Sequence, residues 1–170
     1  MMIAVEPVAP PSIEELYREH YRSLVRLASL LVDDVATCEE IVQDAFVALH
    51  RRGLDGIEAV RLPAYLRSAV LNGARSQLRR RQVRRRLAPA PDPTSAPAPD
   101  AAPLLGPDRQ AVLDAVRALP DRQRDVVVLR YWMDLGEAEI AATLDIAPGT
   151  VKTHARRGLD ALAAHLEDLR

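Results

Sequence analysis

The stretch APGTVKTHARRG, residues 147–158, places a proline and a glycine ahead of a run of hydroxyl-bearing and basic side chains. Proline suits the first turn of a helix, so we expect a helix to begin at Pro148. The preceding segment EAEIAATL, residues 137–144, also has apolar residues at helical spacing, and only residues 145–147 separate the two segments. Two helices joined by so short a turn are typical of a helix-turn-helix.

The outward face of the second of these helices carries the candidate binding groups. We expect the apolar residues of the pair to close a small core formed by Ile140, Ala141, Leu144, Ile146, Val151, Ala155, Leu159 and Leu162. The other positions then present hydroxyl and cationic groups, which suit phosphates and base edges when a helix enters the major groove of DNA. The candidate DNA-contacting residues are Thr150, Lys152, Thr153, Arg156 and Arg157. The alternative is an ordinary helical hairpin with a solvated face.

The sequence pattern in the rest of the chain also predicts helices, and the predicted fold class is therefore all-α. Apolar residues recur at three- and four-residue steps over 13–31, with Ser12 as the N-cap, and again over 35–52, which Gly53 ends. A third helix begins near Pro63, and further helices are expected near 108–118 and 121–133. Apolar and polar residues do not alternate one by one in the way that predicts β-strands.

A segment rich in proline and alanine, LAPAPDPTSAPAPDAAPLLGP at residues 87–107, divides the chain in two. Such a composition favours an extended, fairly stiff spacer. We therefore predict a first domain over 12–87, a linker over 88–107 and a second domain over 108–170. Such a linker can hold the two parts well apart rather than packed on one core, and the sequence leaves the relative placement of the two domains open.

The charge is segregated along the 170 residues although the net charge is only −1. Nine arginines and no acidic residue lie between positions 59 and 91, whereas the stretch before them is acidic. A chain patterned in this way can face an anionic partner with one surface and a basic partner with another.

Composition also excludes several classes of protein. Cys38 is the single cysteine and belongs to an apolar helical stripe, so we expect it in the core, and the four histidines show no metal-ligand spacing. We find no nucleophile motif and no glycine loop that would cradle phosphate, and so expect no cofactor, no metal and no enzyme. The chain start lacks the features of a signal peptide, and no apolar run is long enough to span a bilayer, which favours the cytoplasm.

The third helix offers a second candidate surface for nucleic acid. One face at helical spacing combines an aromatic ring, an amide and guanidinium groups from Tyr65, Ser68, Asn72, Arg75 and Arg79. Such a face suits single-stranded DNA, because backbone charge is neutralised while exposed bases are stacked or hydrogen-bonded. The alternative is that Tyr65 lies in the core and Asn72 packs between helices.

The second half resembles region 4 of the extracytoplasmic-function sigma factors. The resemblance lies in ALPDRQRDVVVLRYW, residues 118–132, and APGTVKTHARRGLDAL, residues 147–162. It implies that the helix from Pro148 binds the minus-thirty-five promoter element and that this domain lies near the flap of the polymerase β subunit. The family often has glycine in the turn and serine before the recognition helix, whereas this chain has Asp145 and Ala147, so we expect a slightly weaker helix start. LuxR-type regulators share part of this pattern, so this half alone leaves the family open.

The first half resembles region 2 of the same sigma factors and decides between the two families. Its segments IEELYREHYRSLVRLASLLVDD, CEEIVQDAFVALHRR and LPAYLRSAVLNGARSQLRRR follow in order within residues 12–86. The resemblance implies that the third helix captures the minus-ten element as the duplex opens, helped by the loop 53–62. It also implies that the second helix docks on the β′ clamp helices of core RNA polymerase, where we assign Glu39, Glu40, Gln43 and Asp44.

The resemblance as a whole predicts a factor that directs core RNA polymerase to promoter DNA and assists promoter opening. An anti-sigma factor that holds the two domains together is a further candidate partner. The rival hypothesis is a stand-alone regulator, which would bind a duplex site tightly without polymerase.

Overall fold

The computed structural model describes residues 11–87 and 107–167, and in this part of the chain the regular structure is helical. Seven α-helices occur there, together with one turn of 3₁₀ helix at Ala59–Arg61. The helices are α1 (Ile13–Leu31), α2 (Val35–Arg52), α3 (Leu62–Leu87), α4 (Pro107–Ala118), α5 (Asp121–Tyr131), α6 (Glu137–Leu144) and α7 (Pro148–Glu167). The all-α prediction is confirmed. The predicted linker lies outside the described residues except for Pro107, where α4 begins.

The first two helices begin at side chains that accept backbone hydrogen bonds. The Ser12 hydroxyl accepts from the Glu15 N–H at 3.2 Å, and the Glu15 carboxylate accepts from the Ser12 N–H at 2.7 Å. This reciprocal pair satisfies two donors that a helix start leaves unpaired. At the start of α2 the Asp34 carboxylate accepts from the Thr37 hydroxyl and from the Thr37 N–H, the latter at 2.7 Å. The bond from the hydroxyl, and after it the bond from the N–H, lowers the pKa of Asp34.

Helices α1, α2 and α3 pack around a core built from one apolar stripe of each. Its fully buried members include Leu24, Leu27 and Leu31 of α1, Val42 and Leu49 of α2, and Leu66 and Val70 of α3. Cys38 is buried here as expected, and its Sγ lies 3.5 Å from the Val32 carbonyl oxygen. Helix α3 comes so close to α2 that a Cβ at Gly73 would lie 2.8 Å from the Ile41 Cγ2 atom.

Helices α4 to α7 pack around α5, which is buried on nearly every side. Its residues Val126, Val127, Val128 and Leu129 are all fully buried, so α5 has no apolar stripe of the usual kind. Ile140 of α6 and Val151 and Leu162 of α7 close around it. Helix α5 is therefore the centre of this half, and α6 and α7 are positioned against it.

The two halves are in contact, although a linker of this composition can hold its flanking parts apart. Helix α3 packs along α6, and α1 meets α4. The buried apolar residues of both halves form one continuous cluster. The composition of the linker reports only its stiffness, whereas contact between the halves is decided by residues far from it, among them Arg75 and Asp125.

Candidate nucleic-acid interface and acidic surface

Helix α7 follows α6 after a tight turn that depends on one left-handed residue. Asp145 has φ 52° and ψ 54°, a conformation that costs most residues about 1 kcal/mol but that aspartate tolerates. Pro148 is the first residue of α7, as the sequence predicts. Ala147 offers no side-chain cap, and its carbonyl oxygen accepts from the Thr150 N–H at 2.9 Å. The helix-turn-helix is therefore present.

The outer face of α7 presents most of the predicted DNA-contacting residues. Lys152, Thr153, Arg156 and Arg157 are exposed, whereas Thr150 is half-buried. The Thr153 hydroxyl donates to the Gly149 carbonyl at 3.2 Å, and the Lys152 Nζ atom lies 3.6 Å from a Glu137 carboxylate oxygen. The two arginines have no ion-pair partner among the described residues, so their guanidinium groups face solvent.

The position of α7 is set by Gly158, which the sequence analysis did not single out. A Cβ at Gly158 would lie 2.6 Å from the Val127 Cγ2 atom, so only glycine allows this approach to α5. The expectation that Leu159 belongs to the small core was wrong, since Leu159 is 42% exposed. Gly158 takes the core-facing place, and the next residue turns outward.

The two arginines of the DRQR segment, residues 121–124, serve the fold of this half. Arg122 donates to the Leu144 carbonyl at 3.1 Å, at the end of α6. Arg124 is 4% exposed and donates to the carbonyls of Arg117 and Leu119, at the end of α4, and to Asp121. A guanidinium satisfies carbonyl groups that a helix end leaves unpaired. The segment therefore holds the ends of the helices that flank α5.

The predicted single-strand face of α3 is only partly exposed. Asn72 and Arg79 are exposed, while Tyr65 and Ser68 are half-buried. The guanidinium carbon of Arg52 lies 5.4 Å from the centre of the Tyr65 ring, so an α2 cation stacks near this aromatic group. The exposed end of α3 adds Arg80, Arg84 and Arg86. This helix thus presents a cationic surface with one aromatic and one amide group.

Arg75 departs from the expected arrangement, because its side chain turns toward the second half and is only 13% exposed. It pairs with the Asp125 carboxylate of α5, which is fully buried, and its Nη1 atom donates to the Asn72 Oδ1 atom at 3.0 Å. Burial raises the pKa of Asp125, and the Arg75 charge offsets part of that rise. Asn72 and Arg79 therefore line the open part of the face, Tyr65 and Ser68 lie half-buried beside it, and Arg75 turns away from solvent.

The predicted polymerase-binding residues form an exposed acidic surface on α2. Glu39, Glu40, Gln43 and Asp44 all face solvent, while Ile41 and Val42 between them are buried. Among the described residues, none of the three carboxylates lies within ion-pair distance of a cation. These charges are consequently available to a basic partner.

Two family models match the chain, one in each half. The model described as Sigma-70 region 2 matches residues 16–84, and the model described as Sigma-70, region 4 matches residues 109–162. The RNA polymerase sigma-E factor of Streptomyces avermitilis is 34% identical over 155 residues, which cover 91% of this chain and 84% of that protein. The protein named ECF RNA polymerase sigma factor SigM of Mycobacterium tuberculosis is 30% identical over 157 residues, covering 89% of this chain and 76% of that protein.

Solved structures show the same fold. CnrH, in complex with the cytosolic domain of CnrY, matches with a TM-score of 0.68 at 23% identity, over 92% of this chain and 88% of that one. The sigma factor RpoE of Bartonella quintana, in complex with the anti-sigma factor NepR, matches with a TM-score of 0.62 at 22% identity, over 92% and 98% of the two chains.

The chain belongs to the sigma-70 family, in its extracytoplasmic-function branch, and is thus a sigma factor that gives RNA polymerase promoter specificity at transcription initiation. The LuxR-type alternative is excluded by the region 2 match. No helix in the two described ranges is long and apolar enough to cross a membrane.

Proposed function

We propose that the acidic surface of α2 docks on the β′ clamp helices of core RNA polymerase, that α3 captures the minus-ten element, and that α7 reads the minus-thirty-five element. The observation that carries this proposal is the order of the two matched regions together with the separate placement of their charges. An acidic surface lies on α2, and cationic surfaces lie on α3 and on α7.

The charge pattern explains why the chain would depend on polymerase. Exposed carboxylates on α2 repel the DNA backbone, so the chain alone should bind promoters weakly. Docking on a basic partner would cover these carboxylates and present both DNA-binding helices to one promoter, which raises their joint affinity. We further propose cytoplasmic action, domain boundaries at 12–87 and 108–170, a contact with the β flap, and regulation by an anti-sigma factor.

The polymerase contact is tested by reversing one charge on α2. Glu40→Lys should weaken binding to purified core polymerase at least about tenfold, because like charges then face each other across the contact. Glu19→Lys is the matched control, since Glu19 is also an exposed glutamate but lies on α1. Equal binding of both variants, measured by fluorescence anisotropy of the labelled chain, would remove α2 from the polymerase interface.

The minus-ten assignment is tested with Asn72→Ala. This variant should bind core polymerase normally but form open complexes several-fold more slowly on duplex promoter, because one base-contacting amide is lost. A template with the minus-ten segment already unpaired separates capture of the strand from melting. If core binding falls in parallel with promoter opening, Asn72 is a structural residue.

The minus-thirty-five assignment is tested with Arg156→Ala. A good arginine contact to a base edge discriminates by about 1 to 3 kcal/mol, so the variant should lose about tenfold or more in preference for promoter over mutated upstream element. Arg130→Ala is the control, because Arg130 is exposed on α5 and donates to the Leu135 carbonyl within its own half. An unchanged preference in Arg156→Ala would refute the assignment.

A further inference from the structure

The two helices of the helix-turn-helix are joined at their outer side by the pair of Lys152 and Glu137. The chain has 23 lysine and arginine residues together, and Lys152 is the only lysine among them. Its Nζ atom lies 3.6 Å from a carboxylate oxygen of Glu137, the first residue of α6. Both side chains reach solvent, since 69% of the lysine and 37% of the glutamate side chain are exposed. The pair is therefore open to a ligand that approaches α7.

The start of α6 does not account for Glu137. The Glu139 carboxylate accepts from the Gly136 N–H at 3.0 Å and so completes the helix start, and it also places an acid in the first turn, which the helix dipole favours. The Glu137 side chain extends toward α7 instead. An exposed ion pair adds little stability, and a carboxylate beside a DNA-contacting helix repels phosphate. Its placement is explained better by a contact with the bases.

A lysine and a carboxylate at this separation match the major-groove edge of one G·C base pair. Guanine presents the O6 and N7 acceptors there, and cytosine presents the N4 amino donor. The Lys152 ammonium can donate to guanine, while the Glu137 carboxylate accepts from cytosine. The guanine O6 and cytosine N4 atoms are joined by a hydrogen bond of about 2.9 Å. Two protein atoms 3.6 Å apart can therefore face these two base atoms side by side.

The same pair disfavours the inverted base pairs. In C·G and in A·T the order of donor and acceptor is reversed, so the ammonium would meet an amino group and the carboxylate a carbonyl oxygen. A T·A pair keeps the order of G·C but replaces the N7 acceptor by the thymine methyl group. The match is thus best for G·C and worst for the inverted pairs.

We propose that Glu137 is a specificity-determining residue, and that it reads one G·C pair of the minus-thirty-five element together with Lys152. This inference rests on the proposed function of α7. The carboxylate orients a cation that any phosphate would otherwise attract. Lysine suits the position better than arginine, because a planar guanidinium would bind the carboxylate through two hydrogen bonds and leave neither group for a base.

The test is a selection from promoter duplexes in which the minus-thirty-five element is randomised, with polymerase holoenzyme as the binder and sequencing of the bound fraction. With the unaltered chain we expect one position at which G·C is bound at least about tenfold more often than C·G. Glu137→Ala should reduce this ratio to about twofold or less at that position and leave the other selected positions unchanged. Glu137→Lys combined with Lys152→Glu should reverse the preference to C·G.

Asp160→Ala is the matched control, because Asp160 is an exposed acid of α7 about 12 Å along the axis from Lys152. It removes the same charge but should keep the G·C preference. If Glu137→Ala fails to fold by circular dichroism, Glu137→Ser decides, since serine is too short to reach the base pair. A preference that is equal in the control and in the folded Glu137 variant would overturn the proposal.

Failure of this inference is distinguishable from failure of the α7 assignment. If α7 does not read the element, Lys152→Ala and Arg156→Ala would both leave every selected position unchanged. If the inference alone is wrong, Arg156→Ala still alters the selection, while Glu137→Ala behaves like Asp160→Ala. A loss of stability in Glu137→Ala with an unchanged G·C preference would assign Glu137 to the start of α6 and likewise overturn the proposal.

Discussion

The approach of α7 to α5 at Gly158 allows a quantitative prediction for Gly158→Ala. In an exposed helix interior, alanine is favoured over glycine by about 1 kcal/mol. Here the new Cβ would lie 2.6 Å from the Val127 Cγ2 atom and 3.4 Å from the Gln123 carbonyl oxygen. Val127 is fully buried and β-branched, so it has essentially one side-chain rotamer in a helix and cannot turn away. Overpacking costs about 1 to 3 kcal/mol, and the clash should therefore outweigh the gain in helix propensity.

We expect Gly158→Ala to lower the free energy of unfolding by about 1 to 2 kcal/mol, measured by urea denaturation followed by circular dichroism. Gly149→Ala is the control, because a Cβ at Gly149 would meet nothing within 4 Å. In a Val127→Ala background the space is vacated, so adding Gly158→Ala should there be neutral or stabilising. Equal stability of Gly158→Ala and Gly149→Ala would refute the argument that this contact sets the position of α7.

Three further predictions concern the turn, the buried cysteine and a buried arginine. Asp145→Gly should raise the free energy of unfolding by about 0.5 kcal/mol, since glycine adopts a φ of 52° without strain. Asp145→Val should lower it by about 1 kcal/mol or more in the same urea assay, because a residue with a Cβ is strained in this conformation. Burial raises the pKa of the Cys38 thiol from 9.0 to about 11, so at pH 8 the thiol should react with a disulfide reagent about a hundredfold more slowly in the folded chain than in urea. For the same reason the free energy of unfolding should fall as the pH rises from 9 toward 11. Equal reaction rates in the folded chain and in urea would place Cys38 outside the core. Arg124→Met should lower the free energy of unfolding by about 2 kcal/mol, because carbonyls at the end of α4 lose their donor. The control Arg130→Met, on the exposed side of α5, should change the free energy of unfolding little. Equal losses in the two variants would contradict the capping role of Arg124.

Local pattern was sufficient to predict the helices. The predicted starts at Ser12 and Pro148 and the end at Gly53 agree with the structure, because caps and apolar periodicity act within one or two turns. Helix starts and ends depend on residues that are close in sequence, so they can be predicted from the sequence.

Long-range packing was not predictable in the same way. Arg75 was assigned to the open face of α3 because its spacing matches Asn72 and Arg79, yet its partner Asp125 lies 50 positions away in the other half. Spacing along one helix says which residues share a face but not what covers that face. Leu159 was placed in the core for a similar reason, since the close approach at Gly158 depends on Val127 of another helix.

Mapping of transcript starts shows whether this chain gives RNA polymerase its choice of promoter. Purified core polymerase from the source organism is incubated with sheared genomic DNA from that organism, with and without the chain. We expect start sites that appear only with the chain and share two upstream elements at a constant spacing. Identical start sites with and without the chain, together with no binding to core polymerase, would contradict it.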